Sequence, residues 1–136
     1  MTTGGEAMLE NSRAYSGIGV EDIEAARRFY GETLEQRVEV AHEEAGILTM
    51  ELAGERQTLI YRSPGMTPAS YTVLNFPVED IDAAVDHLAG RGVAFERYEG
   101  FEHEESGIVR GNGRGPDIAW FKDPSGNVIS VHSQVP

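Results

Sequence analysis

The sequence predicts an α+β fold of two tandem βαβββ modules whose sheets form a cup, and three observations carry that reading. The heptad VEDIEAA at 20–26 returns 58 residues later as VEDIDAA at 78–84, with only Glu24 exchanged for Asp82. Each copy stands between a short strand-like run and a helical stripe. Three further strand-like runs follow each helix in the same order. One such unit leaves an apolar sheet face open, whereas two can cover their faces together around a cavity.

The elements follow in chain order. Residues 1–12, MTTGGEAMLENS, are expected as a flexible tail. Module one spans 13–63 and opens with the strand AYSGIGV at 14–20. The acidic heptad is read as a helix start, with Asp22 as the cap. Glu24 lies in the first turn, where negative charge meets the positive end of the helix dipole. Ile23, Ala26, Tyr30 and Leu34 then make one apolar stripe at helical spacing. VEVAHE at 38–43, GILTMELA at 46–53 and QTLIYRS at 57–63 read as strands, the last two turning about Gly54. A linker over 64–70 leads to module two, 71–133.

That module repeats the plan. YTVLNFPV at 71–78 is a strand, Asp80 the cap, Asp82 the first-turn acid, and Ile81, Ala84, Val85 and Leu88 the stripe. VAFERYE at 93–99, DIAWFK at 117–122 and NVISVHS at 127–133 are the expected remaining strands. DPSG joins the last two, with Pro124 second and Gly126 fourth, as a type I turn prefers. The offset between halves grows from 58 to about 69, so roughly eleven extra residues fall in GFEHEESGIVRGNGRG at 100–115. A loop of that length is expected to be disordered or to act as a lid.

Composition narrows the function. At 136 residues, 40% hydrophobic and 25% charged, the chain is expected as one globular domain. No cysteine is present, which excludes disulfides, thiolate metal sites and cysteine nucleophiles. No run approaches the roughly 18 apolar residues of a membrane span. The first residues have neither a basic nor an apolar leader pattern, so a cytoplasmic location is expected. A formal net charge of −12 repels phosphate backbones, which argues against nucleic acid as a partner. A cationic or neutral small molecule suits that field.

These features resemble the vicinal oxygen chelate superfamily, which includes glyoxalase I, extradiol dioxygenases and bleomycin-resistance proteins. The resemblance rests on VEDIEAARRFYGETL and VEDIDAAVDHLAGRGV, each after a strand, and on FKDPSGNVISV, and it covers about 13–133. It implies a glyoxalase/bleomycin-resistance-like cup. It also implies metal ligands at four equivalent points, which fall on Tyr15, Tyr61, Val73 and Ser130. None is an imidazole or carboxylate, so neither a metal nor another cofactor is expected. Where the family usually closes the first helix with Gly, this chain has Glu35, and another residue is expected to absorb that turn. The resemblance permits a cup within one chain or across a homodimer.

Strand alternation separates the faces. Ile18, Val20, Ile60, Leu74, Phe76, Ile129 and Val131 share an aliphatic face suited to packing under helices. The opposite face carries the four family positions and should line the cup. Its ligand-binding candidates are Tyr15, Tyr61, Asn75, Ser130 and His132, with Trp120 as a stacking wall. Gly17 and Gly19 should leave room for a ligand against bare backbone. Phe101 and His103 in the long loop are placed to close over it. His42 and His87 read as exposed, so only His132 has a structural argument for the cup. Glu51, if it faces inward, is the best carboxylate for proton transfer, because burial would raise its pKa.

The function expected is metal-independent binding of an aromatic or cationic small molecule, similar to the bleomycin-resistance branch, where sequestration is the activity. The alternative is a metal-free isomerase or cyclase using His132 with Tyr61 or Glu51 as an acid–base pair. A metal-dependent lyase or dioxygenase requires ligands that the sequence lacks.

Overall fold

The structure, a computed structural model, describes residues 8–134. Positions 1–7 of the expected tail lie outside the described residues. The first sheet has four strands, β1 (Ser16–Val20), β2 (Arg37–His42), β3 (Ile47–Leu52) and β4 (Arg56–Arg62), in the order β1-β4-β3-β2. The second has three, β5 (Thr72–Val78), β6 (Ile118–Lys122) and β7 (Val128–Ser133), in the order β5-β7-β6. In each module the first and last strands lie parallel and adjacent, although the helix and the intervening strands separate them in sequence, while the remaining neighbours are antiparallel. Helix α1 is Ile23–Arg28 and α2 is Ile81–Gly90.

Both heptads start helices for the same reason. Asp22 and Asp80 have extended backbones, and their carboxylates accept from the Ala25 and Ala83 N–H groups at 3.0 Å. Each satisfies one of the otherwise orphaned amides of a first turn. Helix α1 then widens into a π-helical turn over Phe29–Thr33, with the Leu34 N–H donating to the Phe29 carbonyl at 2.9 Å. Here the expectation about Glu35 is corrected. Glu35 absorbs the left-handed turn itself, at φ 57°, and the Gln36 N–H reaches back to the Tyr30 carbonyl at 3.0 Å.

A glycine would adopt that backbone more readily, but it would carry no tether. The Glu35 carboxylate meets His87 Nε2 of α2 at 2.6 Å, and Arg91 donates to the Thr33 carbonyl at 3.0 Å. The hydrogen bond from His87, followed by the charge of Arg91, holds the Glu35 carboxyl below its usual range. These groups are exposed, and exposed pairs contribute little to stability. Replacing Glu35 by Gly is therefore expected to raise the melting temperature slightly. A fall, read by calorimetry, would show that the tether outweighs the relieved backbone.

The expected strand at 93–99 is also corrected. Only Phe95 forms a bridge, antiparallel to Phe121, and Glu96 adds one hydrogen bond to the Trp120 carbonyl at 2.8 Å. The ladder stops because the Tyr98 N–H is taken at 2.9 Å by the ring of His103 rather than by a strand.

The aliphatic faces of both sheets share one core. Ile18, Val20, Leu48, Met50 and Ile60 pack with Ala26, Tyr30 and Leu34. Ala119, Phe121, Ile129 and Val131 pack with Ile81, Val85 and Leu88. Phe29 and Phe121 join the two sets, with ring centroids 6.2 Å apart. The modules are also latched at the β6–β7 turn. Asp123 accepts from Tyr30, the Asn127 amide donates to the Gly19 carbonyl at 2.8 Å, and the Glu21 N–H donates to Ser125 at 2.9 Å.

Candidate functional site

Strand register fixes which side chains share the face turned away from the helices. On the first sheet Gly17 lies beside Leu59, which pairs with Thr49, while Gly19 lies beside Tyr61, which pairs with Ile47. A third row runs Gln57, Glu51, Arg37. On the second sheet Asn75, Ser130 and Trp120 form one row, and Pro77, His132 and Ile118 the next. The parity read from the sequence therefore places Tyr61, Asn75, Ser130 and His132 on this face, and Glu51 and Trp120 join them.

The glycines do not leave space for a ligand. A Cβ on Gly17 would stand 3.1 Å from Tyr61 Cε1, so the tyrosine ring already lies over bare β1 backbone. Tyr61 remains 42% exposed, and Tyr15, just before β1, is 65% exposed. Glu51 lacks the apolar burial that an acid–base role was expected to draw on. Its side chain is 41% exposed and meets Arg37 at 3.1 Å.

The second sheet carries an aromatic wall. Trp120 packs against Tyr98 and Phe101 with ring centroids 5.4 Å away in each case, and His103 lies 6.3 Å away. His103 is a strut: its Nε2 accepts from the Tyr98 N–H and its Nδ1–H donates to the Gly107 carbonyl at 2.8 Å. Phe101 stays 52% exposed over the tryptophan. Burial, then the charge of Glu96, pushes the Tyr98 phenol up, so that ring stays neutral at physiological pH. Beside Trp120, the buried Ser130 hydroxyl donates to Asn75 Oδ1 at 2.6 Å. His132 Nδ1–H donates to the Ser133 carbonyl at 2.7 Å. The sequence pattern of 93–99 reads as a strand, and that reading hides Tyr98 from the candidate set.

The four family positions do not make a metal site. Val73 offers no donor atom, the Ser130 hydroxyl is committed to Asn75, and Tyr15 and Tyr61 are phenols. A divalent ion prefers imidazole or carboxylate in place of such groups. Among the described residues no three His, Asp or Glu side chains gather where they could hold a metal ion.

Each candidate set belongs to its own sheet. Among the described residues no hydrogen bond or ring contact links Tyr15, Tyr61 and Glu51 with Asn75, Trp120, Ser130 and His132. An open cleft of about 1150 Å³ lies at the end of the first sheet, lined by first-module residues that include Tyr15 and Glu51. It also gathers Arg13, Arg37 and Arg56, which come from separate segments and share no sequence pattern.

Known proteins agree with this architecture. Residues 13–131 match the Glyoxalase/Bleomycin resistance protein/Dioxygenase superfamily, and the chain belongs to that family. No curated protein matches it. Among solved structures, an integron cassette protein from the mobile metagenome of the Halifax Harbour sewage outfall is similar. It has a TM-score of 0.68 and 16% identity, covering 90% of this chain and 100% of that one. A glyoxalase family protein from Enterococcus faecalis has a TM-score of 0.62 and 21% identity, with 92% and 99% covered. The fosfomycin resistance protein FosX from Mesorhizobium loti has a TM-score of 0.62 and 13% identity, with 92% and 93% covered. At these identities the likeness shows the fold. Among the described residues, no helix is long and apolar enough to cross a membrane.

Proposed function

We propose that this chain is a metal-independent binding member of its family, holding an aromatic or cationic small molecule against the cup side of its sheets. One observation carries the reading. Trp120, Tyr98 and Phe101 form a partly exposed aromatic surface on a face that the helices leave open, with the Asn75–Ser130 pair beside it. Such a surface stacks planar rings and attracts cations, and the polar pair supplies direction. In this reading the whole chain is one cytoplasmic domain, with modules over 13–63 and 71–133 joined by 64–70. A homodimer belongs to it, because a second copy can bring a Tyr61 face to a Trp120 face. Sequestration, as in resistance by binding, needs no further chemistry.

The acid–base alternative has less support. Glu51 is exposed and paired with Arg37, and His132 lies on a different sheet from Tyr61.

Trp120 is the only tryptophan, so its emission reports on the wall directly. Titrating aromatic amines and quaternary ammonium compounds should quench or shift that emission. Tyr61→Ala and His132→Ala should weaken the binding by about tenfold or more, the effect of losing one well-placed contact. Melting temperatures should barely move. Unchanged affinity with a large stability loss would show that these are core residues. Stoichiometric transition metal in a native mass spectrum of the purified protein would remove the metal-independent reading.

A further inference from the structure

We propose that the cleft at the end of the first sheet binds a small organic monoanion, an aryl carboxylate, through Arg13 and Arg56. Three of the eleven basic residues of a chain with net charge −12 line this cleft. Arg37 is engaged by Glu51 at 3.1 Å. Arg13 and Arg56 form no ion pair among the described residues. Arg56 is nevertheless held in place, because its Nε–H donates to the Ala53 carbonyl of the β3–β4 turn at 2.9 Å. Its two terminal nitrogens have no partner among the described residues. A guanidinium oriented in this way offers the paired donors that a carboxylate accepts.

Charge selects the ligand class. Arg13, Arg37 and Arg56 against Glu51 and Glu55 leave one net positive charge in the cleft. A carboxylate balances it. A phosphate monoester dianion would leave an excess negative charge on a chain whose whole field already repels anions. The body of the ligand is read from the remaining wall, to which Leu52 and Tyr15, a residue 65% exposed, both contribute, giving apolar surface for an aromatic ring. This site shares Tyr15 and Glu51 with the residues expected to line the cup, but Tyr61, Asn75, Trp120, Ser130 and His132 do not line it.

Isothermal titration of the full chain with sodium benzoate tests the assignment, with benzamide as the uncharged counterpart and phenyl phosphate as the dianion. Benzoate should saturate one site per chain without altering Trp120 emission. Arg13→Gln and Arg56→Gln should each weaken it by about tenfold or more, the size of a lost charge-assisted hydrogen bond. Arg114→Gln, the same charge change elsewhere, should leave it unchanged. Four results would overturn the proposal: no saturation at millimolar benzoate, equal binding of benzamide, preference for phenyl phosphate, or wild-type affinity in either cleft variant. Quenching of Trp120 by benzoate would move the anion to the aromatic wall and likewise end the assignment here.

Discussion

Asp123→Ala is expected to destabilise the fold by about 3–5 kcal/mol, the scale of breaking a buried polar network. A turn residue between two antiparallel strands normally matters far less. Asp123, however, is only 4% exposed, and its carboxylate accepts four hydrogen bonds. Oδ1 takes the Ser125 and Asn127 N–H groups, both at 2.9 Å, which shapes the turn. Oδ2 takes the Asn127 side-chain amide at 2.9 Å and the Tyr30 hydroxyl at 2.7 Å, which binds the turn to module one. Alanine leaves the fully buried Tyr30 phenol and the buried Asn127 backbone N–H without their acceptor, and each loss costs about 1–3 kcal/mol. Burial first, and the Asp123 charge second, push the Tyr30 phenol far above its usual range, so it remains a donor into alkaline pH. Tyr30→Phe should cost less, about 1 kcal/mol, because it removes the hydroxyl but keeps the ring. Urea unfolding of both variants and their combination gives the coupling between them. A loss below about 1 kcal/mol for Asp123→Ala, with additive behaviour, would show that the latch is incidental.

The same latch explains which parts of the molecule were legible in the sequence. Caps, turns and face parity are local properties, so Asp22, Asp80, the DPSG turn and the split between Ile60 and Tyr61 follow from residue type and spacing. What escaped depends on partners distant in sequence or on a side chain competing with backbone. The alternation of VAFERYE suggests a strand, yet the His103 ring takes the amide that a ladder would need. Gly17 and Gly19 suggest ligand space, yet the ring that fills it comes from β4. Glu35 keeps a turn that a glycine would make more readily, because it reaches His87 of the other module. The aromatic wall was half legible. Trp120 and Phe101 were candidates, but Tyr98 was hidden inside a strand that does not form.

The long loop gives the second large effect. Ile108→Ala is expected to destabilise the chain by about 2–5 kcal/mol, as truncation of a buried isoleucine does in a close-packed core. If 100–115 were a free lid, the same change would fall within about 0.5 kcal/mol, the usual range for an exposed position. Ile108 is 0% exposed and belongs to the core shared by both modules. The backbone around it is committed as well. Val109 exchanges two hydrogen bonds with Ile118, at 2.8 and 3.0 Å, and the Glu104 N–H donates to the Ile108 carbonyl at 2.8 Å. Gly107 holds φ at 104°, and a Cβ there would stand 2.8 Å from that of Phe95, so the close approach requires glycine. Arg110 pairs with Asp82 of α2, Glu104 and Asp117, fastening the loop to the helix and to the start of β6. Denaturant unfolding gives the stability change, and limited proteolysis reports whether 100–115 opens on its own. Early cleavage with a near-zero stability change would establish an independently moving lid. The expected large loss means that Phe101 and His103 are carried on the core, so the wall around Trp120 is built before any ligand arrives. A preformed surface avoids the ordering entropy of a closing loop, which suits the binding function proposed above.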